Sequence, residues 1–338
     1  MIKQSIFFIT ALFISSLCFT GCSDDDDDYL GNWVEMGDFS GKVRSHAVTF
    51  TIGDKVYVGT GYDYDDDEKF ADFWELTING TSFQWKQIEA LPGLARNRAV
   101  AFSSGSTGYV GLGSDEDDNK LKDFWAYTPG SGWTEVTAEF PGSARRDAVA
   151  FYVNGKGYVG TGEDDDLGNL NDFYSYDPNS NTWASISSIP YKRRSATTFV
   201  LDGEAYIVSG LDNGVSRDDF YRYDSTNDTW VELNRISDFT DSSFDNDYDN
   251  TIQRYDAVSF TMGGKAYLAT GSANLETWEW DPMTDRWKQK TDFEGASRYG
   301  AVAFTLNDVG YVMTGGNGSY SFDDMWYFEP YEEYENKD

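Results

Sequence analysis

The sequence predicts an all-β fold, a six-bladed β-propeller whose ring is closed by its own N-terminal strand. Three observations lead to this prediction. A module of about 50 residues recurs six times along the chain. Each copy contains apolar and aromatic runs of strand length that are separated by turn-forming residues. The last copy ends without its fourth strand, and a matching segment stands near the beginning of the chain.

The copy at residues 145–183 shows the four strands of one module. Residues 148–151 are continuously apolar and begin with small side chains, which predicts an innermost strand covered on both faces. Residues 158–162 contain glycines, which in a strand mark close backbone approach or a bend. Residues 172–176 supply large rings for packing between sheets. Asp177-Pro178 suits a type I turn that leads into the fourth strand.

An arginine opens every copy, three residues before the first alanine of the innermost strand. These regular arginines are Arg44, Arg96, Arg145, Arg193, Arg254 and Arg298. A tryptophan marks the fourth strand of the first five copies, at Trp85, Trp133, Trp183, Trp230 and Trp287. The sixth copy lacks it, but the segment around Trp33 matches the Trp287 segment in residue types and in its spacing to the next arginine. We therefore expect the two chain ends to hydrogen-bond in one sheet, which leaves no unpaired edge at the seam.

The array resembles the kelch-repeat propellers, a family that includes the central domain of galactose oxidase. The resemblance is carried by the glycine pair, the aromatic pair and the distant tryptophan of each copy, as in Gly315-Gly316 with Trp326. Several copies depart from the pattern: only the sixth has a true double glycine, and the fifth has no aspartate before its third-strand aromatics. Copper-radical oxidation of the galactose oxidase kind is excluded, because the chain has one histidine and no free cysteine for that site.

The chain divides into four parts. Residues 1–21 have the architecture of a secretory signal, with Lys3 before an apolar run too short to span a bilayer. The segment that ends at Cys22 resembles the signal-cleavage motif of bacterial lipoproteins, which implies that Cys22 carries a lipid. Ordinary secretion is the alternative. Residues 22–30 form an acidic tether similar to the export tags of surface lipoproteins, or else a solvated spacer. The propeller occupies 31–330, and 331–338 is an acidic tail. The resemblance implies an outer-membrane, cell-surface protein.

The composition limits the partners. The net charge is −32, which argues against binding to nucleic acid or to anionic surfaces. Aromatic residues make up 17% of the chain, which fits a packed β array rather than a disordered acidic protein. The two cysteines, Cys18 and Cys22, fall in the signal and at the lipidation box, so we expect no disulfide and a monomeric ring.

Two interpretations of the regular arginines remain open. Propeller symmetry places them on one face around the axis. The kelch resemblance implies that arginines at the mouth, the opening of the axis on that face, contact acidic ligands. Alternatively, each arginine bonds loop carbonyls or neighbouring carboxylates and fastens adjacent blades. Three further arginines, Arg98, Arg146 and Arg194, are not repeated around the ring, which makes them better candidates for ligand contact.

We expect no catalytic residue. The single histidine, His46, occupies a repeat position held in the other copies by Arg98, Asp147, Ser195, Asp256 and Gly300. That variability indicates a loop or rim position, so a Ser-His-Asp arrangement built on His46 is not expected.

Acidic loops raise the possibility of bound calcium, with no other cofactor expected. Alternating carboxylates, the ligands that calcium accepts, occur at Asp63, Asp65 and Asp67, at Asp115 and Asp117, and at Asp245, Asp247 and Asp249. None continues into an EF-hand, and solvated charge that suppresses aggregation is the alternative.

The connection from Trp230 to Arg254 is about twice as long as the equivalent connections. Long connections in compact arrays are usually functional or disordered. The acidic segment bears Phe244 and Tyr248, which we predict to contribute to a ligand site.

The sequence favours a noncatalytic, surface-exposed module that binds a protein or glycan ligand on the loop face. One alternative is an enzyme that resembles the kelch-type sialic-acid mutarotases, in which arginines hold the sugar carboxylate and a carboxylate or tyrosine transfers protons. Another is an accessory subunit of an outer-membrane uptake complex.

Overall fold

The computed structural model describes residues 29–237, 252–272 and 274–335. Within these residues, six four-stranded antiparallel sheets form the blades of a propeller, which confirms the predicted fold class. In blades 1 to 5 the strand nearest the axis comes first in sequence and the last strand lies at the outer edge, whereas in blade 6 the N-terminal strand of the chain takes the outer edge. No helix in this part of the chain has the length and hydropathy needed to cross a membrane.

The strands follow in chain order. The first, β1 (Asn32–Asp38), belongs to blade 6. Blade 1 contains β2 (Val48–Ile52), β3 (Lys55–Gly59), the hairpin β4 (Tyr62–Asp63) and β5 (Glu68–Lys69), β6 (Phe73–Asn79) and β7 (Ser82–Ile88). Blade 2 contains β8 (Val100–Ser103), β9 (Gly108–Gly111), β10 (Phe124–Thr128) and β11 (Gly132–Glu135). Blade 3 contains β12 (Val149–Val153), β13 (Lys156–Gly160), the hairpin β14 (Glu163–Asp164) and β15 (Gly168–Asn169), β16 (Phe173–Asp177) and β17 (Thr182–Ile186).

The second half repeats this plan. Blade 4 contains β18 (Thr197–Leu201), β19 (Glu204–Val208), the hairpin β20 (Leu211–Asp212) and β21 (Val215–Ser216), β22 (Phe220–Asp224) and β23 (Thr229–Glu232). Blade 5 contains β24 (Val258–Met262), β25 (Lys265–Ala269), β26 (Thr277–Asp281) and β27 (Arg286–Lys290). Blade 6 contains β28 (Val302–Leu306), β29 (Val309–Met313) and β30 (Asp324–Glu329), and β1 completes it.

The N-terminal strand closes the ring, as the sequence predicts. Strand β1 pairs antiparallel with β30, with Trp33 opposite Phe328. The Trp33 side chain is buried, and its Nε1–H donates to the Thr277 hydroxyl of blade 5 at 3.0 Å. The first and last segments of the propeller therefore meet in one sheet, which also fastens blade 6 to blade 5.

The core consists of wedges of aromatic rings between adjacent blades. In every blade the phenylalanine of the innermost strand stacks on the tyrosine of the second strand, as Phe50 does on Tyr57 with 5.2 Å between ring centroids. The next blade must approach these rings closely. A Cβ at Gly108 would lie 2.1 Å from the Phe50 ring, so this second-strand position requires glycine.

Candidate functional site

The regular arginines lie beneath the loop face and fasten the blades internally. Their side chains are buried, and each Nη1 donates to the carbonyl at the end of the second strand of its blade. Each also pairs with the acidic residue that precedes or begins the third strand: Asp72, Asp123, Asp172, Asp219, Glu276 and Asp324. Because nothing of these guanidinium groups reaches solvent, the geometry favours the structural interpretation of this set.

The fifth copy has the weakest of these pairs. Glu276 stands where the other blades have aspartate, and its carboxylate lies 3.5 Å from Arg254 Nη2, against 2.7 Å between Arg44 Nη1 and Asp72. Burial lowers the pKa of Arg254 to about 10, although Glu276 and Asp292 oppose the change. In this blade a glutamate therefore replaces the missing aspartate and pairs with the arginine at a longer distance.

The residue two positions after each regular arginine lies on the propeller axis. Backbone N–H groups at this position donate to the carbonyl of the equivalent residue in the preceding blade, and the six bonds form a closed ring. All six residues have positive φ, between 52° and 62°. They are His46, Arg98, Asp147, Ser195, Asp256 and Gly300.

The position belongs to the connection that precedes each innermost strand, as expected of a loop, but the rim alternative is wrong because the six residues gather at the axis. The residues differ from blade to blade because their side chains share one small space at the axis. Together with the alanines that follow them, they line a cavity of about 170 Å³. Six large or like-charged side chains could not occupy that space.

Three of these residues, His46, Arg98 and Asp256, form what we call the axial plug. Arg98 Nη1 lies 3.9 Å from Asp256 Oδ2 and 2.6 Å from Asp147 Oδ1. His46 Nε2 lies 3.6 Å from Asp256 Oδ2. Gly300 makes room for the imidazole, because a Cβ there would lie 2.7 Å from the His46 ring.

The plug residues influence one another electrostatically. Burial and the nearby Arg98 charge lower the pKa of His46, so the imidazole is neutral at pH 7. Burial acts to raise the pKa of Asp256, but His46, Arg98 and a hydrogen bond from Ser195 outweigh it and hold the carboxyl below its usual range. Since Ser195 contacts Asp256 instead of His46, these residues do not have the order of a catalytic Ser-His-Asp triad.

The three arginines that do not recur in the repeat, Arg146, Arg194 and the plug residue Arg98, converge around Asp147. Arg146 Nε and Arg194 Nη1 lie 3.1 and 3.4 Å from the same Glu163 oxygen, and each lies 3.7 Å from Asp147 Oδ2. Their side chains remain partly exposed, at 29% for Arg146, 30% for Arg194 and 21% for Arg98. In the described part of the chain, Asp147 Oδ2 has no hydrogen-bond partner. We call this group, with Glu163, the arginine cluster.

Two tyrosines lie on the other side of the mouth. The Tyr299 ring lies 5.8 Å from the His46 ring. Burial and a hydrogen bond with Tyr64 raise the pKa of Tyr299 to about 12, so its phenol stays protonated at neutral pH. The sequence analysis missed both residues. Tyr299 directly follows a regular arginine, as Arg146 and Arg194 do in their blades. This shared repeat position could have identified Tyr299 as a site residue from the sequence.

The acidic loops of the first three blades pair with their own backbone and with neighbouring blades. Asp63 Oδ1 accepts from the Asp65 N–H at 3.0 Å, and Asp115 Oδ1 accepts from the Asp117 N–H at 3.0 Å. Asp67 accepts from the Tyr62 hydroxyl at 2.6 Å. Over residues 29–237, 252–272 and 274–335, no three His, Cys, Asp or Glu side chains are grouped to hold a metal ion. The structure therefore shows no preformed calcium site in these loops.

Lysines fasten these loops from one blade to the next. Lys69 Nζ of blade 1 lies 2.5 Å from Asp118 of blade 2, and Lys120 Nζ lies 2.6 Å from Asp165 of blade 3. Both lysine side chains are largely buried. The acidic loops therefore have a packing role in addition to their surface charge.

The remaining predicted site residues lie outside the described residues. They are Cys22, Phe244, Asp245, Asp247, Tyr248 and Asp249. Lipidation of Cys22 and the contribution of the long connection to a ligand or calcium site stay predictions.

A larger open groove lies at the rim of blade 1. Its volume is about 580 Å³, and Lys42, Phe70 and Trp74 line it. Lys42 pairs there with Glu68 at 2.5 Å, so the charges of the groove compensate each other. The axial mouth, in contrast, has several arginines that share few acceptors.

Comparison with known proteins agrees with the sequence and the fold. The family described as the KLHDC2/KLHL20/DRC7 Kelch-repeats domain matches residues 45–245. The chain belongs to the kelch-repeat family. Among solved structures, this kelch propeller is similar to that of YjhT, with a TM-score of 0.69 and 16% identity over 85% of this chain and 95% of that chain. At this identity the likeness shows the fold alone. No curated protein matches the sequence.

Proposed function

We propose that this kelch propeller is a noncatalytic binding module that takes an anionic protein or glycan ligand at its axial mouth. The arginine cluster is the observation that supports this proposal. Its three arginines come from blades 2, 3 and 4, do not recur in the repeat, and remain partly exposed. The regular arginines are buried and serve the scaffold.

The chemistry of the cluster suits a carboxylate. A guanidinium group presents five N–H donors in a plane and binds carboxylates through paired hydrogen bonds. Arg146 and Arg194 approach the same Glu163 oxygen, and that side chain is itself partly exposed. Several donors thus remain for a ligand. The rings of Tyr64 and Tyr299 offer a surface on which a sugar or an aromatic side chain would pack.

Calorimetry on the mature chain tests this proposal. The ligands are N-acetylneuraminic acid, glucuronic acid, an oligoglutamate peptide and, as the neutral comparison, glucose. We expect at least one of the acids to bind and glucose not to bind. Replacing both Arg146 and Arg194 with glutamine should weaken binding at least about a hundredfold, since each hydrogen bond to a charged group contributes about 1.5–3 kcal/mol.

The matched control is Arg222→Gln. Arg222 lies in β22 and pairs with Glu204 at 3.1 Å, so the substitution removes one partly exposed, paired guanidinium group without changing the mouth. The control should bind like the wild type. If the double variant also binds like the wild type, the ligand does not occupy the arginine cluster and the proposal is wrong.

A mutarotase similar to the kelch-type sialic-acid enzymes is the second candidate. Asp147 and Tyr299, a carboxylate and a protonated phenol, lie at the same mouth as the arginines and could move a proton at an anomeric centre. Anomer exchange of N-acetylneuraminic acid, followed by NMR, distinguishes the two functions. An exchange rate equal to that in buffer excludes the enzyme. Acceleration that is lost in Tyr299→Phe supports it.

We further propose that lipid on Cys22 attaches the propeller to the outer membrane and that the loop face is displayed at the cell surface. The lipoprotein-like box in the sequence supports this location. Metabolic labelling with a palmitate analogue would detect the lipid, and Cys22→Ser should abolish the label. Crosslinking in intact cells tests the related proposal that the protein is an accessory subunit of an uptake complex.

A further inference from the structure

The axial plug contains a pair of groups that are close but not bonded. His46 Nε2 has no hydrogen-bond partner among the described residues, although it lies 3.6 Å from Asp256 Oδ2. Arg98 Nη1 lies 3.9 Å from the same oxygen and bonds Asp147 at 2.6 Å. Asp256 is therefore positioned between a neutral imidazole and a guanidinium, and either can become its main partner.

We propose that the axial plug is an acid-responsive charge switch: a proton taken up by His46 pairs the imidazole with Asp256, so that Asp256 compensates less of the Arg98 charge and Arg98 attracts an anion at the mouth more strongly. The effect of the switch on anion binding depends on the proposed function. The exchange of partners inside the plug does not depend on any ligand.

The surroundings of His46 restrict what a new proton can bond. The titratable and charged groups that face the imidazole are Arg98 from blade 2, Asp147 from blade 3, Asp256 from blade 5 and Tyr299 from blade 6. The other ring nitrogen, Nδ1, lies 3.2 Å from the Ser45 hydroxyl of its own segment. In the structure as described, Asp256 is the acceptor nearest to Nε2. A protonated imidazole therefore pairs with Asp256.

The fold leaves room for this movement. A hydrogen bond between Nε2 and a carboxylate oxygen needs about 2.7–2.9 Å, so the two groups must approach by less than 1 Å. The adjacent cavity of about 170 Å³ leaves the imidazole space to turn. Arg98 retains its bond to Asp147, and its side chain is already partly exposed at the mouth.

The direction of the linkage follows from the charges. Burial and the Arg98 charge lower the pKa of His46. An anion bound to Arg98 cancels part of that charge, so it must raise the pKa of His46. Binding free energies are reciprocal, so protonation of His46 must strengthen anion binding as pH falls. Each unit by which the anion raises the pKa corresponds to about a tenfold gain in affinity.

NMR of the mature chain labelled at histidine tests the switch, because His46 is the single histidine of the sequence. We expect His46 to titrate below pH 6.5 and the Arg98 side-chain signal to shift with the same midpoint. Arg98→Gln should raise the midpoint, and Asp256→Asn should lower it. The backbone spectrum of each variant shows whether it is folded. If His46 titrates in the wild type while the Arg98 signal stays constant, the switch is wrong.

A second measurement separates the switch from the proposed function. Calorimetry with N-acetylneuraminate and glucuronate at pH 5 and pH 7.5 should show tighter binding at pH 5 in the wild type, and a smaller pH dependence in His46→Gln. If the His46 and Arg98 signals shift with the same midpoint but no anion binds, the result supports the switch and contradicts the proposed function. Binding with equal pH dependence in the wild type and His46→Gln supports the function and overturns the switch.

Discussion

At the residue scale, the axis shows how six equivalent positions with one backbone conformation carry residues of five different types. The left-handed backbone is required by the ring of main-chain bonds, whereas the side chains fit only as a set. Gly300 belongs to this set because the His46 imidazole occupies the space in front of it.

Gly300→Ala should therefore destabilise the protein more than a glycine substitution at the same φ elsewhere. Gly53 is the control, with φ of 61° against 62°, and a methyl group added there would meet no atom of the described residues within 4 Å. Gly53→Ala should cost about 1–2 kcal/mol for the backbone alone. Gly300→Ala should cost more in denaturant unfolding, and His46→Ala should remove the difference. Equal costs in the two glycine variants would contradict the packing assigned to His46.

The buried histidine should make stability depend on pH. The folded-state pKa of His46 is lowered, so the unfolded chain binds more protons below pH 6.5. The contribution of His46 is therefore complete above pH 6.5 and is lost as pH falls toward the folded-state pKa. Urea unfolding from pH 7.5 to 5 should show a smaller loss of stability in His46→Gln than in the wild type. An identical loss would mean that His46 is not buried in its neutral form.

At the element scale, blade 4 differs from its neighbours at the end of β19. Four regular arginines, Arg44, Arg96, Arg145 and Arg193, donate their backbone N–H to a carbonyl of the preceding blade, as Arg193 does to Leu170. The Arg254 N–H of blade 5 donates instead to the Ser209 hydroxyl of blade 4 at 2.8 Å, and that hydroxyl lies 2.9 Å from the Arg217 carbonyl. The serine thus joins the strand end to the long connection that follows β23.

Ser209→Ala should cost about 1–3 kcal/mol, because it removes the hydroxyl that accepts from the buried Arg254 N–H. Thr161→Val is the matched control. Thr161 holds the equivalent position in blade 3, and within the described ranges its hydroxyl has no hydrogen-bond partner. The control should be neutral or slightly stabilising. Thermal unfolding measures both, and a control as damaging as Ser209→Ala would disprove this role for the serine.

At the scale of the whole molecule, closure by β1 determines whether the propeller has an exposed sheet edge. Without β1, blade 6 would present the edge of β30, and the buried Trp33 would leave a gap against Phe260, Phe293 and Phe328. Unpaired edges and exposed aromatic surface both promote association between chains.

A chain that begins at Phe39 should therefore associate or unfold at a lower temperature than one that begins at Tyr29. The longer chain retains β1 and is the control. Size-exclusion chromatography and dye binding to exposed apolar surface distinguish the two. A monomeric Phe39 chain with unchanged melting temperature would show that β1 is not needed for closure.

The number of blades, their strand order and the closing strand could be predicted from sequence, because these features are local and repeat six times. The apolar strand segments, turn residues and tryptophans recur at equivalent positions of the copies. The unmatched Trp33 segment indicated where the ring closes. Part of the arginine cluster was predicted from sequence. Arg98, Arg146 and Arg194 were candidates for ligand contact because they do not recur in every copy.

Tertiary structure alone decided which arginines reach the mouth and which are buried. Arg145 and Arg146 are adjacent in sequence, yet the first pairs with Asp172 inside the blade and the second approaches Glu163 at the mouth. His46, Arg98 and Asp256 belong to blades 1, 2 and 5, and their contact depends on closing the ring around one axis. Sequence spacing carries no information about distances across that axis, because they arise only when all six blades are in place.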